Sequence, residues 1–246
     1  MEDKTLKKIV LKIAAVGICL GLALALIRQV FLINQAAFMR VYWIAAPVIV
    51  AGAALASASY YVSYQKKMRR ITALLDEGKA EEYIAGMEKM LETAKGQNLR
   101  NILKLNLTAG YIDEKQYDVA GHILEGLAGK YLAGSLEEAV RRLNLCMCYF
   151  YDAQYETAME LYNGSREIFG QYRDDEIYGG NIAAVEIVAE IINGRYKHAG
   201  QLLEMARKSW TDTRPQKVFQ ELDSFMAERK MSDSAGYVKC MDETEF

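Results

Sequence analysis

The chain has 246 residues, 52% of them hydrophobic, and a formal net charge of −2. That near-neutral total hides two unlike parts, because residues 1–70 carry +8 and residues 71–246 carry −10. The acidic part lacks the basic face that phosphate binding needs, so nucleic acid is excluded as an expected partner.

The first element is the uncharged run Ile13 to Ile27, "IAAVGICLGLALALI". Fifteen helical residues rise about 22 Å, short of a bilayer core about 30 Å thick. Lys12 and Arg28 flank the run and can snorkel, which extends the span to residues 10–28. The second run is longer. Val41 to Tyr61 contains no charge and has aromatic residues at both ends: Tyr42 and Trp43 at one, Tyr60, Tyr61 and Tyr64 at the other. Such ends match the two headgroup belts. Gly17 and Gly21 in the first run, and the Ala, Gly and Ser residues between Ala51 and Ser59 in the second, let membrane helices approach closely. A packed two-helix transmembrane hairpin in residues 1–64 is therefore expected, with spans near 10–28 and 41–61. A homo-oligomer stays open. Lys4, Lys7, Lys8 and Lys12 precede the first run and Lys66, Lys67, Arg69 and Arg70 follow the second, while only Arg28 and Arg40 flank the connection. The basic flanks put both termini in the cytoplasm. Residues 1–25 also match a cleaved signal peptide, with Ala23-Leu24-Ala25 as the small-residue site. The large domain would face the cytoplasm in that case too. A bacterial cell membrane is the expected location, since the compact chain shows no organelle-type presequence.

Residues 65–230 read as helical throughout. Met68, Ile71, Leu74 and Leu75 extend an apolar stripe straight out of the second run, with no breaker before Asp76-Glu77-Gly78. Tyr83, Ile84, Met87, Met90, Leu91 and Ala94 recur at spacings of three and four. "GYIDEKQYDVAGHIL" (Gly110 to Leu124) then aligns with "CYFYDAQYETAMELY" (Cys148 to Tyr162) at an offset of 38 residues. Tyr111 falls on Tyr149, Tyr117 on Tyr155 and Ala120 on Ala158, and upstream Asn106-Leu107 falls on Asn144-Leu145. Tyr196, Ala199 and Leu203 repeat the spacing 41 residues later, and "DEGKAEEYIAGMEKM" is an earlier half-copy with Ala80 and Tyr83 exchanged. Periods of this size mean stacked helical hairpins, none of which can bury its apolar face alone. The helix Arg214 to Lys230 fits a terminal cap, and residues 231–246, which show no period, are expected to form a flexible tail.

This pattern resembles the tetratricopeptide repeat (TPR) family over roughly residues 71–210: a helix ending near a Tyr, a short turn, then Tyr-x-x-Ala opening the next helix. The resemblance implies an all-α fold, a TPR-like α-solenoid after the membrane hairpin. It also implies a protein or peptide partner in a concave groove lined by the first helix of each hairpin. The groove residues it implies are Leu105, Ala109, Ile112, Leu143, Met147, Phe150 and Tyr151. Glu186 and Glu190, four apart on "NIAAVEIVAEII", share one face and read as a solvated strip; otherwise they join the groove candidates and meet a Lys or Arg on the partner. A variant of the family grips a C-terminal carboxylate with a Lys and an Asn. Leu105 and Ala109, Leu143 and Met147 occupy those positions here, so an apolar helix or extended apolar peptide suits the groove instead.

Signals for chemistry are few. The chain has no P-loop, GxGxxG, HExxH or GxSxG, and its four cysteines include no CxxC. Cys146 and Cys148 are expected to be buried fillers, and His122 and His198 surface positions. "YGGN" (Tyr178 to Asn181) reads as a turn and helix cap. The expected function is therefore a membrane-anchored adaptor or scaffold, not an enzyme, with no cofactor or metal. The alternative is an accessory subunit of a membrane transport or secretion assembly that acts through its transmembrane hairpin.

Overall fold

A computed structural model describes residues 34–242, together with Gly21 and Gln29, which are both helical. Ten helices and no strand occur among the described residues. The chain divides into two compact units, Met1–Gln65 and Lys66–Phe246.

In the first unit, helix α1 (Gln35–Asp76) begins and carries the second apolar run. One helix among the described residues, Phe38–Asp76, is long and apolar enough to cross a membrane, and none of its apolar window is buried. Val41, Trp43, Ile44, Val50 and Leu55 each expose about two thirds of their surface. In water such a surface would be an aggregation hazard, whereas lipid covers it at no cost. The helix runs through Pro47, whose missing N–H leaves the carbonyl four residues earlier without its usual donor. The first expected span, residues 10–28, lies outside the described residues except for Gly21, so the expected hairpin reduces to one helix here.

The second unit is a succession of helices packed in order: α2 (Ala80–Thr93), α3 (Gln97–Asp113), α4 (Tyr117–Gly126), α5 (Leu136–Tyr151), α6 (Tyr155–Asn163), the short α7 (Arg166–Gln171), α8 (Gly179–Ile192), α9 (Tyr196–Ser209) and α10 (Thr213–Asp242). Neighbours in sequence pack on each other, and alternate helices also touch, α3 to α5, α5 to α8 and α8 to α10.

Four turns share one geometry. Gly78, Lys115, Ala153 and Gly194 have φ of 73°, 58°, 56° and 72°, and each stands two residues before the helix that follows. Each donates its N–H to the carbonyl three residues back (Leu75, Ile112, Phe150, Ile191). The next residue donates to the carbonyl five back (Leu74, Tyr111, Tyr149, Glu190), at 2.8–2.9 Å. These two bonds close a left-handed helix end and satisfy carbonyls that would otherwise be orphaned. Two of the four positions are not glycine, so the turn is imposed on Lys115 and Ala153 at some backbone cost.

The small residue of each Tyr-x-x-Ala sits where two helices come together. Ala120, Ala158 and Ala199 have no exposed surface. In the half-copy the bulk is exchanged: Tyr83 occupies the alanine position, 1% exposed, and the facing residue is Gly110. A Cβ on Gly110 would lie 2.7 Å from the Tyr83 ring and from Ile84. Tyr111 donates to Glu88 at 3.0 Å and Tyr149 to Glu125 at 2.8 Å, so the tyrosine that ends one helix latches onto the helix before it.

At the start of α5, Ser135 accepts the N–H of Glu138 and caps the helix. Glu138 takes two bonds of 2.8 Å from Arg141 and one of 2.8 Å from Arg142. Arg141 also donates to the Leu124 carbonyl, and Arg142 to the Gly164 carbonyl. This buried network ties α5 to the ends of α4 and α6. Burial works to raise the Glu138 pKa, but the bonds and charges of the two arginines outweigh it and hold the carboxyl below its ordinary range.

Two expectations change. The helix expected to end at Lys230 continues to Asp242. Gly236 is the sole strong breaker in that stretch, and helix propagates readily once nucleated. Gly179 and Gly180 do not form a turn before a cap at Asn181; they open α8 themselves. A Cβ on Gly179 would lie 2.5 Å from the Arg173 carbonyl and 2.8 Å from Trp210, and one on Gly180 would crowd Pro215. The glycines are there for close packing.

Candidate functional site

The candidate face is built from apolar stripes on the alternate helices. Along α5 the stripe is Leu143, Met147 and Phe150, with Tyr151 beside it; along α3 it is Leu105, Ala109 and Ile112. Spacings of three and four keep each stripe on one side of its helix.

Accessibility divides these residues. Leu105, Leu143 and Phe150 are buried at 5%, 2% and 6%, so they belong to the packing between helices and offer a partner almost no area. Ala109, Ile112 and Met147 are half-buried and Tyr151 is exposed. The expected groove thus narrows to these four. A helix in a stack has neighbours on both flanks, and the stripe residues nearest a flank are covered by them.

Helix α10 sets the limit of the face. The residues of α8 that stand 41 positions after the α5 stripe, Ala184, Val188 and Ile191, are all buried. They share a core with Phe219 and Leu222 of α10. Further along, Tyr151 donates to Glu221 at 3.3 Å, and Arg229 stands 4.6 Å over the Tyr155 ring. The α10 helix is seated on the other side by Arg207, which bonds both Asp223 and the Phe219 carbonyl. Tyr151 in turn stacks on Tyr117 with ring centres 4.6 Å apart and planes 9° from parallel. Burial and the charge of Glu221 push the Tyr117 phenol up to about 12. Both tyrosines therefore stay neutral hydrogen-bonding and stacking groups at physiological pH.

Glu186 and Glu190 do not lie on this face. They stand about 200° and 240° around α8 from Ala184. There Arg173 donates to Glu186 at 2.6 Å and Arg195 grips Glu190 with bonds of 2.5 and 2.6 Å. Their charges act on Tyr162 of α6, together with those of Arg166 and Arg173. The bonds of Arg195 hold Glu190 below its ordinary pKa. These carboxylates are matched within the chain. Glu190 also replaces the helix-end tyrosine of the earlier hairpins, trading the latch onto the preceding helix for an ion pair with the turn after its own.

Reactive groups are muted. Cys146 and Cys148 are buried and burial pushes both thiols up to about 12, which removes them as nucleophiles near neutral pH. His122 and His198 are exposed. Among the described residues no three His, Cys, Asp or Glu side chains converge to hold a metal. The Glu138 network was missed from sequence although Ser135-x-x-Glu138 is a capping-box signature that marks the start of α5. The contacts of α10 with Tyr151 and Tyr155 had no sequence signal, because they join residues 70 or more apart.

Comparison with protein-family models, curated proteins and solved structures finds no match. Function is therefore read from the residues themselves.

Proposed function

We propose that this chain is a membrane-anchored, TPR-like adaptor whose helical domain binds a protein or peptide partner. Helix α1 and the apolar run before it anchor the chain with both termini in the cytoplasm. The helices from α2 to α10 form an α-solenoid that presents Ala109, Ile112, Met147 and Tyr151. The observation that carries this proposal is the unequal cover of equivalent positions: the α8 stripe is closed by α10, while the α3 and α5 stripes keep accessible apolar residues bordered by a tyrosine pair. The four equivalent turns support the repeat. An amphipathic helix or extended apolar segment fits such a face, since it gains burial from Ile112 and Met147 and hydrogen bonds from the tyrosine hydroxyl.

A photo-crosslinking residue at Met147 or Ile112 of the full chain, in native membranes, tests the face. The expected outcome is a discrete adduct at these positions and none at His122, an exposed residue on α4. Equal labelling at His122, or no adduct at either face position, would sink the proposal.

A further inference from the structure

The cytoplasmic end of α1 carries a charge pattern that anchoring alone does not require. Lys66, Lys67, Arg69 and Arg70 fall within five residues, and all four are exposed. At 100° per residue they occupy an arc of about 160° on the helix. The remaining side is apolar: Met68 and Ile71 are half-buried and Leu75 is buried, with Ile71 lying against Gly86 of α2. This segment is thus amphipathic in a fixed orientation, with one arc committed to packing on the helical domain and the other presenting four cations.

The whole of α1 holds a single carboxylate, Asp76, at its last residue. Tyr60 and Tyr61 precede the cluster directly, in the place where aromatic residues meet headgroups. Residues 71–246, by contrast, carry −10, a charge that an anionic leaflet repels within a Debye length of about 8 Å. A cation near such a leaflet favours it by about fivefold, so four in one arc can hold anionic lipid against that repulsion.

We propose that Lys66, Lys67, Arg69 and Arg70 form a basic collar that binds the anionic headgroups of the cytoplasmic leaflet. The collar rests on the spanning role given to α1 above. Its partner is the phosphate group of a lipid. A lipid is chosen over a soluble anion because the four charges follow the apolar run directly and spread over an arc, without the convergence that would enclose a single small ion.

The full chain, reconstituted into vesicles of equimolar phosphatidylcholine and phosphatidylglycerol, is extracted with mild detergent, and the lipid that stays with it is counted by mass spectrometry. Retained phosphatidylglycerol is expected to exceed phosphatidylcholine several-fold. The excess should fall markedly in the variant K66Q/K67Q/R69Q/R70Q, which keeps Lys4, Lys7, Lys8 and Lys12, and to parity at high salt. Glutamine is a good helix former, and a charge-matched control, K89Q/K130Q/K208Q/K217Q, changes exposed lysines elsewhere and should keep the excess. Parity in the parent chain, or an excess undiminished in the collar variant, would overturn the collar alone. Release of the chain from pure phosphatidylcholine vesicles by alkaline carbonate would overturn the spanning role, and the collar with it.

Discussion

Helices α5 and α8 stand 41 residues apart in two successive hairpins and share a core, yet the cover of their stripes differs. Along α8 nine residues are buried, and the two glutamates that are not are gripped by arginines. Along α5 the stripe keeps Met147 half-open and Tyr151 exposed. The difference does not come from the helices' own apolar content alone. It comes from α10, which lies on the α8 stripe through Phe219 and Leu222 and meets α5 and α6 through Glu221 and Arg229. Helix α10 therefore seals the stripe of α8 and meets α5 at Tyr151, while Met147 stays half-open.

The largest expected effect removes that seal. Phe219 is fully buried among Val188, Ile191 and their neighbours, and Phe219→Ala should cost about 4 kcal/mol of stability in urea unfolding of the helical domain. It should also raise amide exchange in α8 more than in α3; equal protection of α8 in parent and variant would mean that α10 is not its cover.

A somewhat smaller effect falls on the other helix. Glu138 stands 41 positions before Gly179, so α5 opens on a buried ion network where α8 opens on a glycine under Trp210. Glu138→Gln leaves Arg141 buried without its counter-charge and should cost about 3 kcal/mol. The pH dependence has a definite sign. The folded pKa of Glu138 is lowered, so its stabilisation is complete above the ordinary carboxylate range and is lost as pH falls through the lowered value. The parent should weaken toward acid faster than the variant in thermal melts, and parallel melting curves would remove the network from the account of α5.

The smallest effect makes the two turns alike. Ala153, after α5, has φ 56°, where Gly194, after α8, has φ 72°. Ala153→Gly removes a left-handed penalty of about 1–2 kcal/mol and adds some chain entropy on unfolding. A net gain of about 0.5 kcal/mol is expected, read as a small rise in Tm. A fall would show that the Ala153 methyl contributes packing that outweighs the strain.

Much of the helical domain was legible because each hairpin states its own geometry. Tyr117, Tyr155 and Tyr196 begin helices as the Tyr-x-x-Ala spacing predicts, and the motif alanines are buried. The accessible face was legible only in part. A stripe at spacings of three and four says that Leu143 and Met147 share a side of α5, but not which of them a neighbouring helix covers. Glu186 and Glu190 share a side with each other, a pattern that fits a solvated strip or the edge of a groove. Their angle to Ala184 and Val188 was the observation that decided against the groove, and it was already countable. What α10 touches could not be counted from sequence, since nothing local to Glu221 marks Tyr151 as its partner.

The exchange of bulk between Tyr83 and Gly110 has a consequence for how such a chain can change. In the next hairpin the position of Gly110 is held by Cys148, and in the one after by Ala189. Removing the α3–α4 hairpin would bring Cys148 against Tyr83, and a side chain would then stand where a single Cβ already lies 2.7 Å from the ring. This first joint is keyed, so the α3–α4 hairpin cannot be dropped without a matching change at Tyr83 or Cys148.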